Sequence, residues 1–145
     1  MQNSNVLLTQ KVNEIYNWLD IQIKRHIPIL GDCNACGKCC DFRGFDHLLF
    51  VTTPELFFLK QKLGPVNLKD MPGFVCPYNH DGKCSIYPFR FSGCRIFHCT
   101  GGRDFQSKIS ELTIQKLKYL CEQYNIPYFY SDLKTALNTT LHKLI

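Results

Sequence analysis

No run of apolar residues in this sequence approaches the roughly 18 that a membrane span requires. No contact with a membrane is therefore expected. The opening stretch, MQNSNVLLTQKVNEIYNW, lacks the basic and then apolar order of a secretory leader, so a reducing cytoplasm is the expected compartment. Low-complexity tracts are missing, and no internal repeat is found beyond two groups of cysteines. G-x-S-x-G, H-E-x-x-H and a P-loop are all absent, which argues against the common hydrolases, zinc proteases and nucleotide-binding enzymes. His26, His47, His80 and His142 form no i, i+4 pair, and Asp41, Asp46 and Asp104 show no paired-carboxylate spacing for a hard cation.

What is abundant is cysteine. Nine occur in 145 residues, four of them in the stretch GDCNACGKCC: Cys33, Cys36, Cys39 and Cys40. Cys76, Cys84, Cys94 and Cys99 form a second, looser group, and Cys121 stands apart on an apolar helical face as a core residue. A disulfide scaffold fits poorly. The count is odd, and neighbouring Cα atoms lie about 3.8 Å apart, below the usual disulfide range of about 4.4–6.8 Å. In a reducing compartment such close-set thiols point to metal or redox chemistry. The formal net charge of +5 counts thiols as neutral. Two sites of four thiolates, each carrying about −2 with its metal, would leave the chain near +1. The basicity is therefore read as compensation for buried anionic sites. Lys108, Lys116 and Lys118 are read as a solvated helix face, and nucleic-acid binding is disfavoured because no basic–aromatic stripe matches a known reader.

With 45% hydrophobic and 13% aromatic residues the chain can build one real core. Leu8, Val12, Ile15, Leu19 and Ile23 predict a helix over 5–27, stopped by Pro28 and Gly31. VTTPELFFLKQKLG predicts a second, with Thr53 as N-cap, Pro54 at the first position and Gly64 as the stop. Residues 65–104 hold four of the seven prolines and show no clean period, so metal binding is expected to order them. Ile109, Leu112, Leu117, Leu120, Cys121 and Tyr124 mark a helix ending near Pro127. Leu133, Leu137, Leu141 and Leu144 mark another, capped by Ser131 or Asp132. The expected fold is mostly α, a small single domain over 1–145. An N-terminal helix (1–30) and C-terminal helices (105–145) pack around an irregular cysteine-rich metal-binding core (31–104).

Cys33-x2-Cys36-x2-Cys39 matches the first three ligands of a bacterial ferredoxin cluster, whose fourth cysteine comes from elsewhere and precedes proline, as Cys76 precedes Pro77. Asn34 and Gly37 supply the backbone freedom for such a turn. Structural zinc more often shows two separated Cys-x2-Cys pairs. Adjacent side chains diverge, so Cys39 and Cys40 are expected to serve different metals or to leave one thiol free. Two four-thiolate sites, one cluster plus a zinc, or one cluster with spare thiols all remain open. His98 could complete a Cys3His site, but the eight cysteines suffice, and a surface or hydrogen-bonded histidine is preferred.

The spacing Cys33-x2-Cys36-x2-Cys39-Cys40, together with CSIYPFRFSGCRIFHC, resembles the CxxCxxCC (YkgJ-type) cysteine-cluster family, described as zinc- or iron-chelating domains. The later motif maps onto Cys76, Gly82, Cys84, Ile86, Tyr87, Arg90, Cys94, Arg95, Phe97 and Cys99, and VTTPEL looks like the segment that leads into the family's next helix. The likeness covers about residues 31–100; the family's Arg-Pro is Arg90-Phe91 here. It implies metal chelation by the eight cysteines, without an assigned reaction. A related cysteine cluster occurs in flagellin lysine methylases, but this chain shows no S-adenosylmethionine loop, and that activity would be analogy alone. Arg90 and Arg95 flank Cys94 and are candidate cofactor-binding residues. They would donate hydrogen bonds to sulfur, clamp a carboxylate or phosphate, or pair with Asp41, Asp46 or Asp104. Tyr87 is expected in the core.

The expected function is metal binding by Cys33, Cys36, Cys39, Cys40, Cys76, Cys84, Cys94 and Cys99. A 4Fe–4S iron–sulfur cluster for redox, sensing or oxygen-sensitive chemistry is favoured, with a redox or enzyme partner. Structural zinc with a helical interaction surface is the alternative. Cys36→Ser and Cys94→Ser should lose metal or unfold, whereas Cys121→Ser should keep its full metal content, as metal analysis of the purified variants will show.

Overall fold

The apolar stripe of the N-terminal segment forms helix α1 (Gln2–Arg25) in the computed structural model, which describes residues 2–31, 38–42, 48–99 and 101–141. Leu8, Val12, Tyr16, Leu19 and Ile23 recur every three or four residues and are all buried. Each contributes on the order of 1.5–3 kcal/mol by leaving water. Helix α1 ends at Arg25, three residues ahead of Pro28, whose ring cannot sit in its interior. The chain turns at His26, and a short α2 (Ile27–Leu30) begins with Pro28 in its first turn, where its missing N–H costs nothing. Gly31 ends it with φ at +81°.

Strand β1 (Phe50–Thr52) runs straight into helix α3 (Thr53–Leu63). The N-cap is Thr52, not Thr53. Glu55 reaches back one turn, and its Oε2 accepts from the Thr52 N–H at 3.0 Å and from the Thr52 hydroxyl at 2.9 Å. Thr53 instead accepts the Phe129 N–H on its Oγ1 at 2.6 Å. That contact begins the pairing of β1 with β4 (Tyr130–Asp132), antiparallel in the register Phe50↔Asp132, Val51↔Ser131 and Thr52↔Tyr130. Gly64 closes α3 as expected.

The proline-rich segment holds more regular structure than its sequence predicts, all of it in short pieces. A hairpin pairs β2 (Asn79–His80) with β3 (Lys83–Cys84) across Asp81 and Gly82, both at positive φ. Single 3-10 turns cover Pro65–Asn67 and Tyr87–Phe89, and a five-residue helix α4 spans Ser92–Ile96. Helix α5 (Arg103–Gln123) follows. Asp132 caps α6 (Leu133–Thr135) by accepting the Thr135 N–H at 3.1 Å, and the turns widen to π form over Ala136–Thr140. Leu144, expected on this last helix, lies outside the described residues. The architecture is mostly α in one small domain.

Among the described residues three clusters make the core. Leu8, Val12, Tyr16, Phe58 and Leu120 join α1, α3 and α5. Leu19, Ile23, Leu30, Ile96 and Ile109 join α1, α2, α4 and α5. The largest runs from Leu49, Leu56 and Leu59 through Met71, Tyr78 and Phe91 to Leu133, Leu137 and Leu141, and Cys76 is part of it.

Glu55 ties these parts together. Its Oε1 accepts the Tyr16 hydroxyl at 3.1 Å and the Ser92 N–H at 2.6 Å, so the buried carboxylate has four donors from α1, β1 and α4. Glu55→Ala strands those donors in the interior and should lower unfolding free energy by at least about 3 kcal/mol. Glu55→Gln, which keeps the volume and one acceptor oxygen, should fall between it and the wild type in urea denaturation.

Candidate metal centre

Five of the eight predicted thiols come from four separate stretches and lie near enough to shift one another's ionisation. Cys39 and Cys40 sit in a 3-10 turn (Lys38–Cys40) that ladder bonds hold against residues 74–76. The Cys76 N–H donates to the Cys40 carbonyl at 2.8 Å, the Phe42 N–H donates to the Phe74 carbonyl at 2.9 Å, and Asp41 bridges Val75. Three residues beyond Cys76 the hairpin begins, and it places Cys84 opposite Asn79. Cys94 lies in α4, whose start is pinned by the Ser92–Glu55 bond. Cys40, Cys84 and Cys94 pack partly buried against the cluster that contains Cys76.

These thiols act on one another. Burial pushes Cys76 up to about 11, with the charges of Cys84 and Cys39 adding to the rise. Burial also raises Cys94 strongly, and thiolates at Cys76, Cys84 and Cys39 would raise it further. Cys84 rises for the same first reason. Cys39 and Cys40 do not diverge as expected. The tight turn puts their sulfurs in hydrogen-bonding contact, so Cys40 keeps its proton and Cys39 becomes the acidic member of the pair. Arg90 is the cation that pulls Cys39, Cys84 and Cys94 back down.

The two arginines have different surroundings. Arg95 is buried, and its donors are spent inside the protein: Nη1 to Asp20 Oδ2 at 2.7 Å, Nε to the Arg90 carbonyl at 2.9 Å and Nη2 to the Pro88 carbonyl at 3.1 Å. Its guanidinium also lies 4.2 Å from the Tyr16 ring centroid. Its carboxylate partner is Asp20 on α1, 75 residues away in sequence, rather than any of the three aspartates expected. Arg90 donates Nε to the Tyr87 carbonyl at 3.0 Å and stacks 3.8 Å over the Tyr87 ring. Tyr87 is accordingly half exposed, not in the core; Phe89, two residues on in the same turn, packs inward against Phe58 instead.

Cys99 is exposed beyond the end of α4, and Cys121 is buried on α5, where burial lifts its thiol to about 11. His98 is buried. Its Nδ1 lies 2.9 Å from the Ile96 carbonyl, which can only accept, so in the neutral ring Nδ1 carries the hydrogen and Nε2 the lone pair. Cys33, Cys36, Asn34, Gly37, Asp46, His47 and His142 lie outside the described residues. Among the described residues no three Cys, His, Asp or Glu side chains stand close enough to ligate one ion. In chemistry the gathered donors do fit a thiolate-bound group: they are soft, they repel one another when ionised, and a fixed cation stands beside them. No helix among the described residues is long and apolar enough to cross a membrane. Comparison with protein-family models, with curated proteins and with solved structures finds no match.

Sequence reasoning missed Glu55 and Asp20 as the residues that position this region. The Thr52-Thr53-Pro54-Glu55 capping box carried the signal for Glu55; Asp20 had none. In metal-free protein at neutral pH, iodoacetamide should modify Cys39 ahead of Cys76, Cys94 and Cys121. The rate at Cys39 should decline only as pH falls through its lowered pKa, and Cys40→Ala should slow it by removing the thiol that stabilises the Cys39 thiolate. Peptide mapping by mass spectrometry reads all three effects.

Proposed function

We propose that this is a metal-binding cysteine-cluster protein of a reducing cytoplasm. A 4Fe–4S iron–sulfur cluster, used in redox, sensing or oxygen-sensitive chemistry, is the preferred form. The observation that carries this reading is that Cys39, Cys40, Cys76, Cys84 and Cys94, from four stretches of chain, lie near enough to shift one another's ionisation, with Arg90 acting on Cys39, Cys84 and Cys94. Thiols that raise one another's pKa are costly to ionise together, and a bound cation offsets that cost. The ferredoxin-like Cys33-x2-Cys36-x2-Cys39 run supports iron–sulfur over zinc, and the likeness to the CxxCxxCC family supports chelation in general.

A bound cluster would supply electron transfer at this position. The chain's own residues would do the rest. The thiolates would hold it, and Arg90 would balance part of its negative charge. Arg95 acts at one remove, holding residues 88–90 against α1 through Asp20.

Structural zinc is the second reading. The turn at 38–40, the 79–84 hairpin and α4 are each too short to be stable alone, and a metal shared among them would be folding energy. Iron, zinc and acid-labile sulfide per chain, measured with a visible spectrum on protein purified without oxygen, separate the two. Brown protein with about four iron and four sulfide per chain, bleached by reductant, is the expected result. Colourless protein with zinc would make the centre structural, and protein without bound metal would overturn both readings.

A further inference from the structure

Beside the thiol group lies an open cleft of about 400 Å³ between the last turns of α1 and the chain around α4. Its lining mixes two chemistries. Ile23, Ile27 and Phe97 are apolar, while Lys24 and Arg90 bring positive charge, with Cys94 in the same lining. Arg95 and Asp20 also border the cleft but neutralise each other. Among the described residues no hydrogen bond or ion pair engages Lys24 Nζ or the Nη groups of Arg90, whose Nε alone is used. Arg90 is further held in place by its stack on Tyr87, so its fork is fixed before any ligand arrives.

We infer that this cleft is a binding site for a small oxyanion carried on an apolar body, the oxyanion held by Lys24 and Arg90 and the body laid against Ile27 and Phe97. Two cations set among apolar side chains select for that combination, because an inorganic ion leaves the apolar groups wet and a neutral ring leaves the cations unpaired. A carboxylate and a phosphate monoester share the required chemistry. The site goes beyond the metal reading and does not depend on which metal the thiols hold.

The test is calorimetric titration of the full chain with benzoate, phenyl phosphate and neutral benzamide, the contact being located by amide chemical-shift changes. Binding of benzoate or phenyl phosphate with shifts at residues 23–27 and 87–98, and none of benzamide, supports the site; the tighter of the two identifies carboxylate or phosphate. Lys24→Gln, at an exposed position without a partner, should weaken binding at least about tenfold, and so should Arg90→Gln. Lys108→Gln, which removes the same charge from α5 outside the cleft, should leave affinity unchanged. No binding of either anion, equal binding of benzamide, or full affinity in Lys24→Gln would overturn the inference. Metal content is measured on the same samples. Anion binding by metal-free protein would sink the metal reading alone, and metal-loaded protein that ignores both anions would sink this one alone.

Discussion

The buried carboxylate of Glu55 is the contact on which the rest of the structure depends. A carboxylate accepts about four hydrogen bonds, and all four places are filled, from Tyr16, Thr52 and Ser92. No capacity is left for a ligand, so its role is architectural. Burial, with the Glu55 charge adding to it, pushes the Tyr16 hydroxyl well above its ordinary pKa and keeps it a donor. The Tyr16 ring in turn lies under the Arg95 guanidinium, and Arg95 holds the carbonyls of Pro88 and Arg90. The orientation of Arg90 toward the thiols is thus traced back, contact by contact, to one acidic side chain on α3. The Ser92 bond of the same carboxylate fixes α4, and Cys94 with it.

Positive charge is distributed in a way the composition did not suggest. Eight lysines and arginines among the described residues lie over aromatic rings, including Lys116 over Trp18 at 4.6 Å and Lys118 over Tyr128 at 5.7 Å. Lys108, Lys116 and Lys118 are exposed on α5, as the sequence suggested, and Lys116 and Lys118 also rest on aromatic surface. Among these eight, Arg90 alone combines such a stack with an electrostatic pull on several thiols.

Long elements were legible in the sequence because burial repeats at helical spacing over many turns, as in α1 from Leu8 to Ile23 and α5 from Ile109 to Leu120. Short ones were not. Helix α4 has one turn and no room for a period, and β2 and β3 have two residues each, although Asp81-Gly82 between them is itself a hairpin signal. The two cysteine groups announced thiol chemistry, but spacing could not show that residues 40–42 run beside 74–76, or that Cys39 and Cys40 turn toward each other. The Asp20–Arg95 pair was beyond reach for a simpler reason: partners 75 residues apart leave no local pattern.

The β1–β4 pairing has a consequence for how the protein comes into being. Asn138 holds both the N–H and the carbonyl of Met71, at 2.7 and 2.8 Å, and Leu133, Leu137 and Leu141 fill the core beneath Cys76. These residues are made last among those described. At about 5–20 residues per second, the ribosome needs on the order of seconds to pass from Cys99 to Tyr130. Throughout that interval the thiols have been synthesised while the floor of their own site has not, and they are open to whatever metal, oxidant or chaperone meets the nascent chain first.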